Sequence, residues 1–186
     1  MENTALFSKL QHGFEHALKI PKTKGARERI EELKLDPYIT KVGFCSGQTH
    51  HNKSKEFKEE LFEIGFLKLT GNKDRFGNPA YSAFGRKSLM FPLENKEGDV
   101  VNFYHQTLGG KFKGYLNQKG VYPKYPSLKT TRLFITQTIL DAATLLSADV
   151  IEHREAVIAL KDGEMTAEIE VLIRELIYLE EIIIIH

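Results

Sequence analysis

A chain of 186 residues with 41% apolar content can bury one substantial core or two small ones packed together, and two small domains suit the pattern below. Its 26 basic and 25 acidic side chains nearly cancel, so net charge announces neither a nucleic-acid nor a membrane partner, and any cationic surface must be local. The single cysteine, Cys45, excludes an internal disulfide and a CxxC zinc site; with no basic-then-apolar leader and no run of roughly 20 apolar residues, the sequence reads as soluble and cytoplasmic.

Leu6, Phe7, Leu10, Phe14, Ala17 and Leu18 recur at helical spacing, predicting an amphipathic helix within Asn3 to Lys19 that Pro21 ends. A second short helix is expected from Gly25 to Leu33, and Asp36 before Pro37 is a cap followed by a first-turn proline. Val42 to Phe44 reads as a short strand entering a polar loop, Ser46 to Lys53; Ser54 then caps a helix running to Ile64, which Gly65 stops. From Phe66 onward strand-forming runs broken by glycine and asparagine replace the helical period. Ser88 to Leu93, Val100 to Thr107 and Phe112 to Leu116 are predicted as an antiparallel meander, joined by turns at Glu94 to Gly98 and Gly109-Gly110.

The Pro-rich segment Tyr122 to Pro126 reads as a linker. Beyond it, strand and helix alternate: a buried strand from Leu133 to Thr136 turns at Gln137 and Thr138 into a helix carrying Asp141 one turn in. Ala156 to Leu160 is a second strand, Thr166 to Tyr178 a helix with Ile169, Leu172, Ile173 and Leu176 inward, and Glu181 to Ile185 a third strand. Such alternation calls for a parallel sheet with right-handed crossovers. Open sheets of this type bind ligands beyond the carboxyl ends of their strands, so Gln137 and Asp141 are the first candidates for chemistry.

Several other groups invite a chemical reading. His12 and His16 in the H-x-x-E-H pattern of one metallopeptidase class share a helix face and could reach one zinc ion, but no third ligand is evident, Gly13 weakens that helix, and a solvated polar face is the favoured reading. His50 and His51 read as part of a surface loop. Asp162 and Glu164, two residues apart after a strand, could hold magnesium, or could form a strand-to-helix turn in which Gly163 supplies backbone freedom. The meander and its approach carry Arg75, Arg86, Lys87, Lys111, Lys113, Lys119 and Lys124 among Phe84, Phe91, Tyr104, Phe112, Tyr115 and Tyr122, a mixture that suits a single-stranded nucleic-acid groove as well as ordinary surface.

Taken in order, several segments resemble the catalytic core of the DnaG-type bacterial DNA primases, in particular the plasmid and mobile-element branch with a toprim fold. Gly25 to Asp36 and then Val42 to Gly47 are similar to the family's entry helix and strand, Phe62 to Leu67 to its E-x-G-L helix end, and Gly85 to Leu93 with Glu97 to Phe103 to its R-x-x-F-P-I…G-x-V-x-x-F signature. Tyr115 to Asn117 matches Y-L-N, and Gln137 to Asp141 falls on the first toprim motif, E-G-x-x-D. The resemblance implies an α/β protein: an N-terminal helix and linker (1–24), an α+β primase-core subdomain with a small antiparallel sheet (25–126), and an incomplete toprim-like parallel βαβαβ sheet (127–186). It also implies nucleotidyl transfer on single-stranded DNA with magnesium as cofactor, and a helicase among possible partners.

The departures from the family pattern bear on activity. The family's catalytic glutamate falls on Gln137, whose amide cannot ionise, while Asp141 matches the following aspartate; Gln106 stands where an arginine is often found. The resemblance makes Asp162-Gly163-Glu164 a turn, because the family's paired aspartates follow its third strand. No such pair follows Ile185 in this sequence, and no zinc-binding module precedes residue 25. The expectation is a degenerate or truncated core with no firmly bound metal, which keeps nucleic-acid contacts through Arg86, Lys87, Lys111, Lys113, Tyr115 and Asn117. Alternatively it is a non-catalytic DNA- or partner-binding fragment, with another chain supplying the absent acidic motif.

Overall fold

A computed structural model describes residues 3–73 and 77–186; Arg75 lies outside the described residues. Helix α1 (Thr4–Ala17) buries Leu6, Phe7, Leu10 and Phe14 as the spacing predicts. Helix α2 (Lys24–Glu32) follows a 3-10 turn at Pro21–Thr23. In α3 (Pro37–Thr40) the carboxylate of Asp36 accepts the first free N–H groups, those of Tyr38 and Ile39, and in α4 (Lys55–Glu63) Ser54 does the same for Phe57.

The meander is present as β4 (Ser88–Glu94), β5 (Val100–Thr107) and β6 (Lys113–Tyr115), and the structure adds β1 (Gly43–Cys45) antiparallel along the outer edge of β4. All seven residues of β4 are buried. That loss of alternation means both sheet faces are covered. One face packs Met90 and Phe103 against α1 and α4, with Phe14 edge-on to Phe103 at 5.2 Å. Gly43 makes this approach possible, since a Cβ there would lie 2.5 Å from Phe14 Cβ and 2.6 Å from the Phe14 backbone. A separate hairpin, β2 (Leu67–Lys73) with β3 (Pro79–Ala83), occupies the stretch where the sequence indicated strand-forming runs without resolving their pairing.

The second sheet is parallel, β8–β7–β9, from β7 (Arg132–Thr136), β8 (Glu155–Ala159) and β9 (Glu181–Ile185). Its helices, α5 (Ile139–Ser147) and α6 (Ala167–Glu175), are capped by Thr138 and Thr166. Leu89, Phe91, Leu93 and Tyr104 on the second face of the antiparallel sheet share a cluster with Ile139, Ala142, Ala143, Val157 and Ala159. The fold is thus the expected α/β class, with an antiparallel and a three-stranded parallel sheet meeting in one core. No helix among the described residues is long and apolar enough to cross a membrane.

Two expectations need correction. The segment read as a linker is a splice: Tyr122 is buried, Val121 pairs with Glu94, and the Tyr122 carbonyl accepts the Ala159 N–H at 3.0 Å. His50, expected on a surface loop, is buried edge-on against Tyr81 and beside His51. Its Nδ1 is buried without a hydrogen-bond partner, and burial, with repulsion from His51 and Lys58 adding to it, lowers its affinity for a proton.

Candidate functional site

Strand β7 is apolar through Leu133 and Ile135, and the chain leaves the sheet at Gln137. Thr138 then organises the helix start: its Oγ1 accepts the Asp141 N–H at 3.2 Å and donates to Asp141 Oδ2 at 2.6 Å. The turn after β8 lies alongside, because the Gly163 N–H donates to the Gln137 carbonyl at 3.1 Å. Glycine suits that turn because its φ is +82°, and a Cβ there would press on the movable Gln137 Oε1 at 2.8 Å. Gln137 Nε2 also lies 3.4 Å from His186 Nδ1. The carboxyl ends of the three strands thereby gather Gln137, Asp141, the Asp162–Glu164 turn and His186.

The turn faces the antiparallel sheet. Asp162, in the left-handed region at φ +53°, places Oδ1 3.0 Å from Lys113 Nζ on β6. Cross-strand register pairs Gln106 with Lys113 and Tyr104 with Tyr115, putting these four side chains on one face. The two tyrosine rings lie 5.0 Å apart. Burial, with the Asp162 charge adding to it, pushes the Tyr104 hydroxyl up to about 12 and the Tyr115 hydroxyl higher still, so both remain neutral hydrogen-bonding groups at ordinary pH. Gln106 Oε1 is buried on this face without a hydrogen-bond partner.

Arg86 and Lys87, in the turn before β4, and Lys111, in the turn before β6, stand exposed at the same end of the sheet as Lys113. The Lys111 ammonium lies 5.3 Å from the ring of Phe112, which is itself 61% exposed. The aromatic half of the expected groove is thinner than the sequence implied. Phe91, Tyr104 and Tyr122 are core and Phe84 packs against Phe66 and His105, which leaves Phe112 and half-buried Tyr115 to offer ring surface. Asn117 is turned inward: its Nδ2 donates to the Val101 carbonyl at 2.9 Å and its Oδ1 accepts the Lys119 N–H at 2.8 Å, so it braces the loop after β6.

Two polar residues had no place in the sequence reading. Buried Lys161 donates to the Gln118 carbonyl and lies 3.9 Å from Glu168, which also accepts the Tyr125 hydroxyl at 2.6 Å; burial lowers the proton affinity of this amine. His105 sits with Nδ1 3.2 Å from Ser88 Oγ, and burial lowers its proton affinity too. A lysine ending an apolar strand was the visible hint for the first; nothing local marked the second.

Among the described residues no group of three His, Cys, Asp or Glu side chains is placed to hold a metal, and exposed His12 lies 3.7 Å from Glu15. Magnesium prefers an octahedron of oxygen ligands anchored by carboxylates. Gln137 offers an amide and His186 an imidazole, the Asp141 carboxylate is hydrogen-bonded to Thr138 and that of Asp162 is paired with Lys113, so the carboxylates at the strand ends do not converge as that octahedron needs.

No family model matches this sequence, and no curated protein does either. Solved structures do match in fold. A DnaG primase catalytic domain bound to single-stranded DNA superimposes with a TM-score of 0.77 at 18% identity, covering 97% of this chain and 59% of that one. A DNA primase domain from Pseudomonas aeruginosa gives 0.73 at 19% identity, covering 97% and 60%. The RNA polymerase domain of Mycobacterium tuberculosis primase DnaG in complex with double-stranded DNA gives 0.71 at 17% identity, covering 98% and 63%. The fold is that of primase catalytic cores, and the chain spans 59% to 63% of the length of these three.

Proposed function

We propose that this chain is a DNA primase-related protein that binds single-stranded DNA where the ends of its two sheets meet and does not by itself join nucleotides. In this reading Arg86, Lys87, Lys111 and Lys113 contact phosphates, while Phe112 and Tyr115 offer faces to bases. The observation that carries it is the meeting of this cationic sheet end with the carboxyl ends of the parallel strands, through Lys113 and Asp162. The match in fold to a primase domain bound to single-stranded DNA supports the choice of ligand. The amide of Gln137 supports the lack of catalysis, since it can neither take up a proton as a base nor bind magnesium as a carboxylate would.

Fluorescence anisotropy with a labelled thymidine oligonucleotide tests the binding. Affinity should fall steeply with salt, and Arg86→Ala and Lys113→Ala should each weaken it and lower the salt slope by about 0.7. Absence of binding at low salt would reject the reading. Magnesium-dependent primer formation by the purified chain, lost in Asp141→Ala, would reject the non-catalytic part.

A partner-binding role is favoured by a separate observation. The outer edge of β9 is unpaired among the described strands, with Ile182 44% and Ile184 55% exposed. A chain adding a strand there would bring its own side chains beside Gln137 and could supply carboxylates to the site.

A further inference from the structure

The acidic turn at Asp162–Glu164 supplies no DNA contact in the binding scheme above, yet it reaches into the middle of it through Lys113. We propose that Asp162 is a built-in stand-in for a DNA phosphate, holding Lys113 from the opposite sheet in the free protein and yielding it when a strand binds. The inference rests on the DNA-binding reading.

Three observations point the same way. First, the pair joins different sheets: Lys113 belongs to β6 and Asp162 to the turn leaving β8, with 3.0 Å between Nζ and Oδ1. Second, the carboxylate is placed by the fold. Gly163 is hydrogen-bonded to the Gln137 carbonyl, Lys161 on the other side is buried and bonded to the Gln118 carbonyl, and Asp162 itself takes a left-handed backbone. Third, of the four cations at this sheet end only Lys113 has an acidic partner among the described residues, and it is the one beside Tyr115 and the unpartnered Gln106 Oε1. Asp162 presents to Lys113 what a phosphate would, an anionic oxygen at ion-pair distance.

The strength of the contact suits a latch that opens. Both side chains are about half exposed, 49% for Lys113 and 54% for Asp162. An ion pair in that setting shifts an equilibrium by roughly two- to fivefold. A DNA strand that also engages Arg86, Lys87 and Lys111 would overcome this easily, and salt would weaken latch and DNA contact together.

Asp162→Asn removes the charge and keeps the left-handed turn, because asparagine tolerates that conformation. It should raise affinity for a thymidine oligonucleotide about two- to fivefold at low salt, an effect fading as salt rises. Simple repulsion of DNA by any carboxylate would also raise affinity, so two comparisons separate the explanations. Glu164→Gln, in the same turn but outside the pair, should change affinity by less than a factor of about 1.5. In a Lys113→Ala background, Asp162→Asn should give no gain. An equal gain in Glu164→Gln, or a gain that persists without Lys113, would overturn the latch. A readout without DNA stands apart from the binding hypothesis: competitive acylation should label the Lys113 amine faster in Asp162→Asn than in the wild type, with Lys111 unchanged. Equal labelling of Lys113 in both proteins would overturn the latch even if DNA binds. Faster labelling with no DNA binding would keep the contact but remove its role, and so overturn the proposal together with the reading it rests on.

Discussion

The two sheets use the same kind of apolar side chain and differ in how fully they are buried. In the antiparallel sheet β4 is buried along its whole length, and buried Asn102 on β5 has all of its amide engaged. It donates to the Asn117 and Lys119 carbonyls and accepts from the Phe103 and Asn117 N–H groups, each at 2.8–3.0 Å. In the parallel sheet Leu133, Ile135 and Thr136 of central β7 are buried, but Ile182 and Ile184 of β9 stand exposed on the outer strand. Stability is therefore expected to be concentrated in the antiparallel half, and the candidate site lies where the two sheets meet.

This contrast can be broken most directly at matched apolar positions. Phe103→Ala should cost about 3–5 kcal/mol by denaturant unfolding, whereas Ile184→Ala should stay within about 0.5–1 kcal/mol; comparable losses would show that β9 is covered in solution. Asn102→Ala strips both partners from the loop at Asn117–Lys119 and should cost roughly 2–3 kcal/mol. Thr138→Ala removes only the cap of α5, so about 1 kcal/mol is expected. The site would register that change more than stability does, because Asp141 loses the hydroxyl that holds it.

Acid should act on one side of the contrast. His50 and His105 both have lowered proton affinity through burial, with His51 and Lys58 adding repulsion at His50. The unfolded chain then binds more protons than the folded one below the ordinary histidine pKa of about 6.5. Stability is thus fully present above that pH and is lost progressively as pH falls toward the lower folded-state values. Hydrogen exchange at pH 7.5 and 5.5 should show protection falling first in β4, β5 and the loop at His50. His50→Phe together with His105→Phe should flatten the response.

Much of the fold was legible because its signals are local. The Asp36 and Ser54 caps, the amphipathic stripe of α1, the glycine turns of the meander and the strand–helix alternation after Leu133 each depend on residues within a turn or two of one another. Gln137 and Asp141 could be placed at a strand's carboxyl end for the same reason. The burial of His50 could not, since a histidine among lysine and serine carries no sign that Tyr81 will cover it. Nor could the pairing of β1 with β4, a three-residue strand too short to announce a partner far along the chain.

By itself, the order of residues determined the elements, most of their ends and the candidate side chains. Tertiary structure alone decided that Tyr122 splices the two sheets, that Asn117 faces inward and that Asp162 meets Lys113. The reason is the range of the interactions: periodicity and capping are set within a few residues, whereas these contacts, across 16 to 49 positions, exist only once burial of the shared core has fixed where each sheet ends.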